Sequence, residues 1–265
     1  MCIAYFQLGH PEWPLFIAAN RDEFHQRPAR PVAPWADHPD VLAGIDLTGG
    51  GTWLGVTRQG RFGLLTNYRE PGVQQDNAPS RGELVSRWLT ESAPLDEFVM
   101  ALSQRASEYN GFNLVIGDLS QACYLGNRHP DPQPQYLKAG QYLVSNALLE
   151  TVWPKTEKLR TAFENYIPAF TNQALQQAFD VLKDTTPAAD ETLPGTGLPL
   201  ALERQLSSPF IMGTEYGTRC STIIAVHASG KALVSEISYG PQGVRTQRHD
   251  WPFELKPIAS LTPAP

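Results

Sequence analysis

Apolar side chains fill positions 2–8 and return over 15–19, and Gly9, His10, Pro11 and Pro14 supply turn chemistry between them. Two short apolar runs around a turn predict a β-hairpin. Its pairing brings Cys2 beside Asn20, Arg21, Asp22 and Glu23 at the end of the second strand. Residues 24–46 carry Pro28, Pro31, Pro34, Pro39 and Trp35; so long a connection is expected to cover or bind something. Residues 53–57 and 62–66 predict a second hairpin around Gln59 and Gly60, ending at Asn67. Its entry is the glycine run 49–51, which lacks the Lys-Ser/Thr of a phosphate loop and precedes a strand, so it reads as a tight strand entry.

The period then lengthens. Ser80 with Glu83 three residues on reads as a capping box, opening a helix whose stripe is Leu84, Val85, Trp88 and Leu89. A second helix over 95–109 presents Phe98, Val99, Leu102 and Ala106 on one face and stops at Gly111. Strand pairs follow at 112–117 with 121–126, and at 135–137 with 141–145, the latter ending at Asn146. Helices over 155–166 and 172–183, a polar loop over 184–199, a hairpin of 221–227 with 231–237, and a short strand at 244–248 complete the pattern. Hairpins separated by helix pairs predict an α+β fold with largely antiparallel sheets. No linker divides the chain, so residues 1–265 read as a single domain.

Composition narrows the function classes. A net charge of −6 gives no basic footprint for nucleic acid or an anionic membrane surface. No apolar run is long enough for stable membrane insertion. The first residues lack the basic region of a signal peptide. Three cysteines, Cys2, Cys123 and Cys220, suggest neither a disulfide framework nor a metal cluster, and the histidines lack ligand spacing. A reducing, cytoplasmic setting is expected.

Chemistry is densest at Cys2. A methionine aminopeptidase removes Met1 when the next side chain is small, and cysteine is small. Cys2 would then carry a thiol with a pKa of about 8.5 and an α-amino group of roughly 7.7–8.0, a nucleophile and its base in one residue. A neighbouring arginine favours the thiolate, and Arg21 and Arg219 are the candidates. Asp22 can hold the amine. Asn67 and Asn146 are candidate oxyanion donors at strand ends, although on their own they read more readily as turn formers. Cys2 itself could be a small core residue, and Arg21 and Asp22 a pair that merely finishes a strand.

Beyond these residues, the chain resembles the NRDE family, also called the transport and Golgi organisation protein 2 family. The matching segments are Met1-Cys2, Asn20-Arg21-Asp22-Glu23-Phe24, Gly50-Gly51-Thr52-Trp53-Leu54-Gly55, Thr66-Asn67-Tyr68-Arg69, Ser80-Arg81-Gly82, Gly111-Phe112-Asn113-Leu114, Ser145-Asn146, Trp153-Pro154-Lys155 and Tyr216-Gly217-Thr218-Arg219. That family is similar to N-terminal-nucleophile hydrolases, which implies a four-layer αββα sandwich of two antiparallel sheets. The resemblance puts the nucleophile on Cys2, the active-site Arg and Asp on Arg21 and Asp22, two asparagines on Asn67 and Asn146, and a late arginine on Arg219. The reaction it implies is hydrolysis of a linear acyl amide through a thioester, with no cofactor required. It also implies an alternative, in which the same scaffold binds or traffics haem or an acyl lipid or acyl-CoA without catalysis. In that case His10, His25 and His38 are conceivable haem ligands. The expected partners are therefore a small-molecule acyl amide, a lipid or haem.

Overall fold

Strand β1 (Cys2–Leu8) turns at Gly9 into β2 (Leu15–Phe24), in a computed structural model that describes residues 2–256. Both strands are apolar at nearly every position because both of their faces are covered. Ala4, Phe6, Ile17 and Ala19 point to one side, and Ile3, Tyr5, Phe16 and Ala18 to the other. Residues 24–46, expected as a covering connection, instead form two strands, β3 (Ala29–Pro34) and β4 (Val41–Asp46). Their prolines sit on β3, an edge strand, where a missing ladder donor costs least. β5 (Leu54–Thr57) and β6 (Phe62–Asn67) form the second expected hairpin.

α1 (Gly82–Thr90) buries Leu84, Val85, Trp88 and Leu89, the stripe read from the sequence. The capping box does not form. Arg81 occupies the N-cap, the Ser80 hydroxyl turns to the Gly50 carbonyl, and Glu83 accepts the Tyr109 hydroxyl instead. α2 (Leu95–Arg105) continues as one 3-10 turn before β7 (Phe112–Gly117) and β8 (Ala122–Gly126).

β9 (Gln135–Leu137) and β10 (Gly140–Val144) were expected to pair with each other. They belong to different sheets: β9 pairs with β8 and β10 with β1, so the chain crosses from one sheet to the other between them. A two-residue connection would allow a hairpin, but β10 pairs with β1 over five positions and β9 with β8 over three. α3 (Pro154–Phe163) and α4 (Asn172–Leu182) follow as expected. The polar segment 184–199 leads into α5 (Leu200–Gln205), which was not foreseen. β11 (Tyr216–Val226), β12 (Lys231–Tyr239) and β13 (Arg245–Glu254) end the described chain.

The first sheet runs β10-β1-β2-β11-β12-β13 and the second β3-β4-β5-β6-β7-β8-β9, with every pairing antiparallel. One core lies between the sheets, where Phe6, Ile17, Ile224 and Val234 meet Val56, Phe62, Leu64 and Val115. A second core packs α3 and α4 on the outer face of the first sheet, through Leu159, Phe163, Leu175 and Phe179. A third packs α1 and α2 on the second sheet, through Trp88, Phe98 and Leu102. The result is the four-layer αββα sandwich, α+β in class, that the resemblance implied.

Candidate active site

Register sets the site. Antiparallel pairing puts Cys2 directly opposite Arg21, and Arg21 in turn opposite Cys220. Cys2 follows the side of Ala4, so it and Arg21 face the gap between the sheets, whereas Asn20 and Asp22 face the helices. The Asn20 amide accordingly donates to the Leu182 and Pro209 carbonyls, 2.7 and 2.9 Å away. Arg21 is held from two sides. Its Nη2 lies 2.8 Å from Asp46 Oδ2, its guanidinium sits 4.4 Å over the Trp53 ring, and Arg27 shares the same carboxylate oxygen at 2.7 Å. Asp46 also accepts the Thr48 and Gly49 amides, which folds the glycine run against the site.

Asp22 is buried and accepts the Thr218 hydroxyl at 2.6 Å. Between Thr218 and Cys220 the register slips, so Arg219 is the extra residue of a β-bulge. Its side chain donates to the Phe24 and Arg27 carbonyls at 2.8 and 2.9 Å, which pins the chain as it leaves β2. Asn67 ends β6. Asn146 follows β10, and its Nδ2 donates to the Asn67 carbonyl at 2.9 Å, while Arg69 N donates to the Asn146 carbonyl at 2.7 Å. Those bonds join the two sheets at the end where Cys2 lies.

Two adjoining cavities open there. One, of about 420 Å³, is lined by Cys2, Arg21, Asp22, Trp53, Asn67 and Arg81. The other, of about 540 Å³, is more apolar, with Phe24, Leu198, Leu202, Leu206 and Tyr216, and also includes Asn67 and Asn146. Of the six residues nominated from the sequence, Cys2, Arg21, Asp22, Asn67 and Asn146 thus border this double cleft, whereas Arg219 lines neither cavity. Neither is lined by His10, His25 or His38. His10 Nδ1 accepts the Glu12 and Trp13 amides in the first turn. Among the described residues, no three His, Cys, Asp or Glu side chains gather as a metal site. Met1, whose removal the sequence implies, lies outside the described residues.

Electrostatics leave the half-buried Cys2 protonated at rest. Burial pushes its thiol up, the Asp22 carboxylate adds to the push, and the Arg21 guanidinium and a bond from the Asp22 backbone recover only part. Burial likewise raises Asp22, against the pull of Lys155, the Thr218 hydroxyl and Arg21. Tyr216 is held well above its usual value by burial and by the nearby Asp22 and Cys2. A thiol kept neutral by burial, with charge-stabilising groups around it, becomes a nucleophile only when a base takes its proton.

Two contributors, Asp46 and Lys155, were missed by the sequence reading. Asp46 ends β4, with no local pattern tying it to Arg21. Lys155 is almost fully buried behind Asn146, and its signal was available: a lysine in the second position of a helix sits at the wrong end of the helix dipole.

A family model described as Transport and Golgi organisation 2 matches residues 1–241. The mouse Transport and Golgi organization 2 homolog is 35% identical over 260 residues, covering 90% of this chain and 93% of the mouse protein. The human homolog is 34% identical with the same coverage. Among solved structures, a Caenorhabditis elegans N-acylethanolamine-hydrolyzing acid amidase ortholog aligns with a TM-score of 0.49 and 12% identity, over 84% of this chain and 92% of that one. A C2A mutant of the conjugated bile acid hydrolase from Clostridium perfringens aligns at 0.44 and 10% identity, over 95% and 92%.

Proposed function

The chain belongs to the Transport and Golgi organisation 2 family, and from that membership and the geometry of its cleft we propose that it hydrolyses a linear acyl amide with Cys2 as nucleophile. The observation that carries this reading is the register pair of Cys2 and Arg21, set at the wall of a cavity with Asp22 and Asn67.

In this mechanism the α-amino group of a processed Cys2 takes the thiol proton, and Asp22 orients that amine. The sulfur bonds to the amide carbon, and the carbonyl π pair moves onto oxygen, where the Asn67 and Asn146 amides donate to it. Collapse breaks the C–N bond, and the leaving amine takes the proton back from the α-ammonium. Water then attacks the thioester, its proton accepted by the same amine; the carboxylic acid departs and the thiol is restored. Arg21 steadies the sulfur while it is anionic. Arg219 keeps the exit of β2 in place. The acyl chain occupies the apolar cavity. We place the activity in the cytoplasm. Among the described residues no helix is long and apolar enough to cross a membrane.

The test is turnover of a panel of N-acyl amides by protein whose intact mass lacks Met1. Trapping of an acyl adduct on Cys2 and its loss in a folded Cys2→Ala variant are expected. Unchanged turnover in that variant would sink the proposal.

The apolar cavity favours a second reading, a non-catalytic carrier of an acyl lipid or haem. Phe24, Leu202 and Tyr216 line it beside Arg69 and Arg81, which suits an apolar body bearing an acid group. Stoichiometric binding in a haem absorbance titration that survives Cys2→Ala, with no amide turned over, would select it.

A further inference from the structure

Hydrolysis as written makes no use of Lys155, yet the fold goes to some length to keep it. The side chain is 1% exposed and begins in the first turn of α3, just after Pro154. Burying an ammonium costs several kcal/mol, and the positive end of the helix dipole adds to that cost. An apolar side chain would fill this place more cheaply.

What surrounds Lys155 is the site. Its Nζ lies 3.5 Å from Asn146 Oδ1, and the Trp153 ring lies 5.5 Å from the same nitrogen. Asp22 on β2, Glu203 on α5 and, once ionised, Cys2 on β1 favour its charged form, and Arg69 after β6 acts as an opposing cation.

The orientation of Asn146 follows from this neighbourhood. A lysine only donates and the Asn67 carbonyl only accepts. The Asn146 carboxamide therefore turns its oxygen to Lys155 and its nitrogen to Asn67, with the second N–H left toward the cleft. Ser145 does not substitute as the donor. Its hydroxyl has one proton, and the Cys2 carbonyl at 2.8 Å is a better acceptor than Asn146 Oδ1 at 3.3 Å.

We propose that Lys155 is a positioning residue of the Cys2 site, fixing the Asn146 carboxamide nitrogen toward the cleft and supplying the buried positive charge that favours ionised Cys2 and Asp22. Burial, with help from Arg69, takes the Lys155 ammonium down to about 8, so it is charged at neutral pH and discharges just above it.

The proposal rests on Cys2 being the reactive residue of this cleft and is independent of any hydrolysis. Its test is the rate of Cys2 alkylation by iodoacetamide from pH 6 to 10, mapped by peptide mass, in the wild type, Lys155→Met and Lys155→Gln, each with a thermal melt. At pH 7 both variants are expected to alkylate Cys2 about tenfold more slowly, the effect of one unit in the thiol pKa, with melting temperatures equal to or above wild type. Wild-type rates and pH profile in either folded variant would overturn it. So would failure of both to fold, which would make Lys155 a structural brace. Slower alkylation in protein that turns over no amide would leave this proposal standing and remove only the hydrolase.

Discussion

Arg21 faces Cys2 across the β1–β2 ladder with its guanidinium already engaged, bonded to Asp46 on one side and stacked on Trp53 on the other. A cation anchored in this way lends the sulfur its field without swinging onto it as a salt-bridge partner. That distinction shapes what each change around the site should do.

Asp46 is the anchor. Burial alone would push its carboxyl up, but the Arg27 hydrogen bond, the Gly49 amide and the Arg21 charge bring it below the ordinary value. A carboxylate depressed in the folded state adds stability that is present above its unfolded pKa of about 3.9 and is lost as pH falls through the lower folded value. Asp46→Asn should cost about 3 kcal/mol at pH 7, in the range for breaking a largely buried pair. The difference from wild type should shrink below pH 4, as urea melts at several pH values will show.

Lys155 gives the same sign of pH dependence in a higher window, although here it is the charged form that folding disfavours. Its folded pKa lies near 8 against 10.5 for an ordinary lysine, so between those values the unfolded chain binds more protons and stability rises with pH. Lys155→Met should remove that rise. Its stability curve from pH 8 to 10.5 should be flatter than wild type by up to about 3 kcal/mol, as measured by chemical denaturation.

Arg69 and Glu203 form an ion pair at 3.0 Å with both side chains 5% exposed, and Glu203 also accepts the Thr196 amide at 2.9 Å. Glu203→Ala removes one half of a buried pair and should destabilise by about 3–5 kcal/mol. A loss under 1 kcal/mol in a thermal or urea melt would mean that α5 does not dock as described.

Gly51 sits at φ +75°, and a Cβ there would lie 2.4 Å from the backbone carbon and oxygen of Gly82. Gly51→Ala should therefore cost about 2 kcal/mol or more, from left-handed strain together with a backbone clash. Because the loop before it is tied to Asp46, the alkylation rate of Cys2 should change as well.

Local patterns carried the sequence reading as far as local physics reaches. The opening hairpin, and with it the meeting of Cys2 and Arg21, follows from a short turn between apolar runs. The helical stripe of α1 was legible because Leu84, Val85, Trp88 and Leu89 share one face. α5 was not, since its Leu200 and Leu202 are exposed while Glu203 is buried, the reverse of an amphipathic signal. β3 was hidden by prolines that only an edge position tolerates. The partition of β9 and β10 between sheets depends on the preceding strand β8, which takes β9, and on the distant β1, which takes β10. Asp46, 25 residues from Arg21, joins the site only through that same long-range packing.

The central claim is that Cys2 is a nucleophile freed by loss of Met1, and intact-mass analysis before and after incubation with an activated acyl ester tests it most directly. The account predicts a mass without the initiator methionine and a single acyl increment that maps to Cys2 and is absent from Cys2→Ala. A retained Met1, or an increment that persists when Cys2 is replaced, would contradict it.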